Sequence, residues 1–195
     1  MKKRLFVLLP VLFIVLAFTG CTPEGYSNLL LFTDRLNEIS GGEILLEDYT
    51  LYNGGYRLVF EKDGGRVLIT AEENENGCLS GVSVTVAKVD QDGNEKAISE
   101  KEAALYRQKV VEVLYAFTLS GEEKSREAAE KILPLKGEDL LRTGELTTDI
   151  ENYHLVYYSN SLCCRFTVTD NYIEKTVTTE KPVSRPLLQY QSLKL

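Results

Sequence analysis

The chain has 195 residues, no tryptophan and a formal net charge of −7 at neutral pH. This acidic excess argues against nucleic acid as a partner, because its long-range field repels phosphates and no basic stripe with interleaved aromatics reverses it. The length suits one domain with a core of its own.

The first twenty residues have the pattern of an export signal. A basic stretch from Lys2 to Arg4 precedes an apolar run from Leu5 to Phe18, and the small residues Thr19 and Gly20 follow. Such an order is typical of a signal peptide. The apolar run has about 14 residues, whereas a membrane-spanning helix needs roughly 20, so a permanent transmembrane anchor is the weaker interpretation.

The segment Phe18-Thr19-Gly20-Cys21 resembles the lipobox of bacterial lipoproteins, with Phe18 where leucine is usual. In that family the cysteine carries a diacylglycerol through a thioether, the signal peptide is cut just before it, and the new amino group is often acylated. The resemblance covers residues 1–21. It implies a signal peptide over residues 1–20, lipidation of Cys21, and an anchor on the extracytoplasmic face of the cell membrane. The alternative is an ordinary signal peptide followed by a chance cysteine.

Cleavage at this site would make the chain more acidic. It removes three of the 22 basic residues and no acidic residue, leaving 19 against 29 and a net charge of about −10. An acidic surface disfavours flat contact with anionic lipid, so we expect the attached lipid to hold the protein at the membrane.

A short tether over residues 21–27 leads into a predicted domain over residues 28–180. An N-terminal helix is expected from Asn28 to Ile39, ended by Gly41-Gly42. Turn signals then separate four predicted strands, near residues 43–52, 56–61, 66–72 and 79–89. The turns are Asn53-Gly54-Gly55, Asp63-Gly64-Gly65 and Asn76-Gly77, which supply the positive φ angles of tight hairpins. The sequence therefore predicts a four-stranded antiparallel meander.

Helical periodicity follows the meander. Ser99 and Glu102 have capping-box spacing, and the apolar residues after them recur at helical intervals up to about Leu119. Ser120 and Glu123 have the same spacing and predict a second, shorter helix that ends before Pro134. The two helices would form a helical hairpin.

Strand character returns in the last quarter of the chain. After a polar connection, strands are predicted at residues 152–159, 162–169 and 172–179, and residues 181–195 read as an extended arm. Because strands and helices occur in separate blocks, the sequence predicts an α+β fold with mostly antiparallel pairing.

Three cysteines remain besides Cys21, an odd number for an exported protein. Alternation along the strand places Cys164 toward the core and Cys163 on the opposite face. The alternatives are a disulfide from Cys78 to Cys163 or Cys164, a vicinal disulfide, a metal site completed by His154, or free thiols. We favour free thiols, since neither CxxC nor HxxxH spacing is present, and we predict no metal or cofactor.

Catalytic signatures are missing from the sequence. His154, the only histidine, is expected on the sheet surface, and the common cofactor, phosphate, metalloprotease and serine-nucleophile motifs do not occur. By elimination we expect a non-enzymatic binding module whose partner is a protein or another ligand of the cell envelope. The alternatives are a structural or assembly lipoprotein of the envelope and an envelope hydrolase without a recognisable motif.

Tyrosines are concentrated near the C-terminus, at Tyr153, Tyr157, Tyr158, Tyr172 and Tyr190. Tyrosine combines apolar area with a polar tip and is enriched in recognition surfaces. We therefore place the possible interaction surface at Tyr153, Tyr157, Tyr158 and Tyr172. The alternative is that tyrosine simply favours strands.

Overall fold

The computed structural model describes residues 28–42, 44–90, 92–133 and 143–171. Its helices are α1 (Leu29–Ser40), α2 (Glu100–Thr118) and α3 (Glu122–Ile132), with a short 3₁₀ helix at Leu46–Asp48. The strands are β1 (Thr50–Tyr52), β2 (Gly55–Lys62), β3 (Gly65–Glu73), β4 (Leu79–Ala87), β5 (Gly144–Ile150), β6 (Tyr153–Ser159) and β7 (Cys163–Asp170). The α+β class is confirmed.

The seven strands of the described residues belong to one antiparallel sheet, in the order β1-β2-β3-β4-β7-β6-β5. The sequence predicted two separate sets of strands. They are joined because β4 pairs with β7, with Val84 opposite Phe166 and Val86 opposite Cys164. Both strands carry apolar side chains on the same face, so pairing them buries one continuous apolar surface.

The helices cover one face of this sheet. Helix α2 contacts β3 and β4, α1 packs on α2, and α3 contacts α2, β5 and β6. The core lies between the two layers and includes Phe32 of α1, Tyr106 of α2, Val84 of β4 and Phe166 of β7, all fully buried. The opposite face is not covered by any described helix, and we call it the open face.

The predicted meander is confirmed, with one correction in its first strand. Asn53 and Gly54 have φ angles of 45° and 82°, and Asp63 and Gly64 have 54° and 82°, the paired positive values of two-residue hairpin turns. The strand predicted at residues 43–52 is mostly not a strand. The 3₁₀ helix bends the chain, so only Thr50–Tyr52 pairs with β2.

The capping box that begins α2 is confirmed. The Ser99 hydroxyl accepts from the backbone N–H of Glu102, and the Glu102 carboxylate accepts from the backbone N–H of Ser99 at 3.0 Å. Burial raises the pKa of Glu102, but hydrogen bonds from Lys96 and Ser99 outweigh it and hold that pKa below its usual value. The charged carboxylate is therefore the form that this helix start stabilises.

The second predicted capping box is wrong. Helix α3 begins after Gly121, which provides no side-chain cap, and the Ser120 hydroxyl pairs with Thr118 instead. The N-terminal helix is confirmed, since the Asn28 side chain caps the N–H of Leu31 and Gly41 ends the helix at φ 62°.

The C-terminal half contains a strand that was missed. The segment Gly144–Ile150, interpreted as a polar connection, is strand β5 and pairs along its length with β6. The strands at 152–159 and 162–169 are confirmed to within a residue or so as β6 and β7. The signal peptide, the tether, the predicted strand 172–179 and the arm 181–195 lie outside the described residues.

Ser99 and Ser120, the two serines predicted as helix caps, allow the capping assignment to be tested. Because Ser99 satisfies a helix-terminal N–H and Ser120 does not, we expect Ser99→Ala to lower the free energy of unfolding by about 1 kcal/mol. Ser120→Ala should cost clearly less. Urea unfolding of the two variants measures both values, and equal costs would contradict the capping assignment.

Candidate binding surface

The C-terminal tyrosines do not form one surface. Tyr157 is buried in the core, and Tyr153 packs at its margin with its ring 5.6 Å from that of Phe117. Tyr158 lies on the open face and is 41% exposed. The predicted interaction surface is therefore wrong for Tyr153 and Tyr157, because strand alternation turns them toward the helices. Tyr172 lies outside the described residues.

His154 lies on the sheet surface, as expected. Its Nδ1 is 2.7 Å from Oδ1 of Asp149 on the neighbouring strand, and both side chains are well exposed. This contact with His154 is the main reason that the pKa of Asp149 is lowered. Across the described ranges, no cluster of three or more histidine, cysteine or acidic residues could hold a metal ion.

The cysteines depart from the disulfide alternatives. Cys163 and Cys164 are both free thiols, as expected, whereas Cys78 is disulfide-bonded, so the expectation of a free thiol is wrong for Cys78. The proposed pairing of Cys78 with Cys163 or Cys164 and the vicinal disulfide are therefore wrong. Cys164 faces the core as expected, but Cys163 is also buried, at 9% exposure, although its side chain lies on the other face of the strand. Burial raises the pKa of the Cys163 thiol.

A buried polar network lies where β4, β6 and β7 end together. Lys88 Nζ donates to Ser159 Oγ at 2.7 Å, and that oxygen is 3.6 Å from Sγ of Cys164. A lysine beside a serine is a pairing that can activate a nucleophile. Ser159 and Cys164 have no exposed surface, however, so a substrate cannot reach either atom without the sheet end opening. The network is a satisfied buried cluster in this conformation.

A groove runs along the opposite end of the sheet, beside strand β2. It has a volume of about 490 Å³, with Ile44, Asp48 and Thr50 on one wall and residues 57–61 of β2 on the other. It exists because β1 pairs with β2 only as far as Arg57, while the preceding 3₁₀ helix leads the chain away. We call this feature the edge groove.

The hairpin turns determine which backbone groups face the edge groove. A two-residue turn is closed by a hydrogen-bonded pair, here Tyr52 with Gly55 and Lys62 with Gly65. Backbone groups alternate along a strand, so Leu58 and Phe60 bond to β3. The N–H and C=O groups of Val59 and Glu61 point outward, and no described residue bonds to them.

Exposed apolar side chains occur in the chain segments that form the edge groove, and one of them, Val59, lines it. Five large hydrophobic residues within residues 45–59 are exposed: Leu45, Leu46, Leu51, Tyr52 and Val59. Leu51 is the most exposed of them, at 76%. An exposed apolar patch rimmed by charged residues is typical of an interaction site.

The edge groove was not predicted from the sequence, although one signal for it was present. The turn at Asn53-Gly54 is only three residues beyond Thr50, and the segment before it carries Glu47-Asp48, which disfavour a strand. A short β1 beside a longer β2 leaves part of the β2 edge without a partner.

Neither the family models, nor the curated proteins, nor the solved structures contain a match to the chain. Among the helices within the described residues, none is long and apolar enough to cross a membrane.

The two neighbouring thiols allow the burial pattern to be tested. Because both are buried and the pKa of Cys163 is raised, we expect both to react slowly with a thiol reagent in the native protein, Cys163 before Cys164. Mass spectrometry of Cys163→Ser and Cys164→Ser variants over time assigns each rate. Faster reaction of Cys164 would mean that the register of β7 is shifted by one residue.

Proposed function

We propose that the protein is a lipid-anchored module on the extracytoplasmic face of a bacterial membrane, and that it binds a partner without chemistry of its own. The anchor is the lipid expected on Cys21. The binding surface is the edge groove with the exposed apolar residues around it.

One observation carries this proposal: the apolar side chains beside the edge groove stay in water. A soluble domain gains about 25 cal/mol for each Å² of apolar surface that it buries, so leaving Leu51 exposed forgoes stability. Burial against a partner would recover that free energy. The exposed apolar residues lie near backbone N–H and C=O groups of β2 that make no hydrogen bond to a described residue. This combination favours a recognition surface over isolated exposed residues.

The burial of the candidate nucleophiles supports binding over hydrolysis. Ser159 and Cys164 are fully buried, and Cys163 nearly so. A nucleophile must come within van der Waals distance of the substrate carbon, and these three cannot do so in the folded domain.

Lipidation is tested at Cys21. Cells supplied with labelled palmitate should incorporate it into the wild-type protein and not into Cys21→Ser, whereas Cys163→Ser should be labelled like wild type. Mass spectrometry of the mature N-terminal peptide should show a diacylglycerol on Cys21.

A thioether-linked sulfur cannot also form a disulfide, so lipidation of Cys21 excludes it as the disulfide partner of Cys78, which gives the lipidation test a clear contrary result. A non-reduced digest in which the Cys21 peptide is joined to the Cys78 peptide would overturn the lipid anchor. Equal palmitate labelling of Cys21→Ser would do the same.

The binding surface is tested by photo-crosslinking in intact cells. A photoreactive phenylalanine analogue at Leu51 should give a discrete adduct, and the same residue at Tyr158, exposed near the opposite end of the sheet, should not. The adduct identifies the partner for binding to the purified chain. Leu51→Ala should then weaken binding more than fivefold, equivalent to more than about 1 kcal/mol, and Tyr158→Ala should leave affinity within twofold.

A crosslink from Tyr158 with none from Leu51 would move the contact to the open face. A hydrolysed product of the partner in these assays would favour the envelope-hydrolase alternative instead.

A further inference from the structure

We propose that the edge groove receives an extended peptide, which adds to the sheet as a further strand on β2 and carries apolar and basic side chains. This inference rests on the proposed function and specifies the chemistry of the partner. The peptide takes the position that β1 leaves when it diverges from β2.

The backbone of β2 provides the hydrogen-bonding groups that a strand requires. Val59 and Glu61 each present an N–H and a C=O toward the edge groove, spaced two residues apart as in a regular ladder. Unpaired strand edges are the sites at which extended peptides add to sheets. Residues 58–62 span about 16 Å at roughly 3.3 Å per residue, enough for a peptide of about five residues.

The edge is held in place from the core side. Phe60 lies under the edge groove, and Lys109 of α2 places its Nζ 3.7 Å from the centre of the Phe60 ring. Lys109 is itself buried and pairs with Glu112 at 2.6 Å. Because these contacts fix β2 before a partner arrives, strand addition need not order the edge, which favours affinity.

Side chains around the edge groove indicate the character of the peptide. Val59 lines the groove, and Leu51 is exposed nearby on β1. The walls carry the carboxylates of Asp48 and Glu61 and the guanidinium of Arg57, and Arg66 pairs with Glu61 at 3.1 Å. Arg57 already lies 3.8 Å from the Tyr52 ring centre. The charges of the wall and its rim therefore balance, and the preference for lysine or arginine in the peptide comes from the chain's net charge of −7.

One donor in the edge groove lacks an acceptor. Arg57 Nε is buried and makes no hydrogen bond to any described residue. A buried donor without a partner costs about 1–3 kcal/mol. A strand whose binding moved the Arg57 side chain off the Tyr52 ring would offer its carbonyl oxygens as acceptors.

The other edge of the sheet shows why β2 and not β5 is the docking edge. Strand β5 also has an outer edge without a described strand beside it, but its side chains include the exposed Glu145 and Asp149. Charged side chains are a common protection of edge strands. Thr147, whose N–H points outward from β5 by the same alternation, therefore provides a matched control position.

The test uses proline to remove a single outward N–H from each edge. Val59→Pro and Thr147→Pro both leave the inner ladder hydrogen bonds intact, since proline is tolerated where the N–H of an edge strand faces outward. The probe is a fluorescent heptapeptide of alternating lysine and valine, titrated into the full mature chain by anisotropy. Circular dichroism and the thermal midpoint check that both variants are folded.

We expect the peptide to bind the wild-type chain and Thr147→Pro equally and Val59→Pro at least tenfold more weakly. A peptide with glutamate in place of lysine, or with N-methyl groups on alternate residues, should also lose at least tenfold. No binding to the wild-type chain, or equal binding to Val59→Pro, would overturn the inference.

Sedimentation of the wild-type chain tests whether a second copy of the chain, and not a peptide, occupies the edge groove. A dimer that Val59→Pro dissociates would make a second copy of the chain the occupant and would contradict the peptide. If the peptide does not bind but Leu51 still gives a crosslink, this inference fails and the proposed function stands. If Leu51 gives no crosslink, the proposed function itself fails.

Discussion

The pairing of β4 with β7 is the contact on which the rest of the structure depends. It joins a hairpin series made before the helices to one made after them, across about eighty residues of sequence. Helix α2 contacts β3 and β4 before the junction and α3 contacts β5 and β6 beyond it, so this pairing places both helices over one sheet. With it, Val84, Phe166 and Tyr106 meet in one core, and both outer ends of the sheet become edges.

The two edges differ because their neighbours along the chain differ. At one end, β5 is a full-length strand with acidic side chains. At the other, the 3₁₀ helix takes the chain away from β2 after three paired residues. As a result, part of the β2 edge has no partner strand, and exposed apolar side chains lie in the chain segments on both sides of the edge groove. The proposed role in binding follows from that incompleteness and not from any catalytic group.

Local sequence signals predicted the elements whose causes are local. Asn53-Gly54 and Asp63-Gly64 set the hairpins through φ angles, and the capping box at Ser99 set the start of α2. Strand β5 was missed because Glu145, Thr147 and Thr148 have little apolar alternation, and its pairing partner β6 decides its conformation. Ser120 matched the spacing of a cap, but Thr118 competes for its hydroxyl. The edge groove depends on where β1 leaves β2, a tertiary property that hydrophobic periodicity does not encode.

Amide hydrogen exchange along β2 tests the central claim most directly. In the chain alone, the amides of Leu58 and Phe60 should be protected by β3, and those of Val59 and Glu61 should exchange quickly, because their N–H groups point into the edge groove. Addition of the lysine–valine peptide should slow exchange at Val59 and Glu61 and leave Leu58 and Phe60 unchanged. Protection of Val59 and Glu61 in the chain alone, or no change when the peptide is bound, would contradict strand addition at this edge.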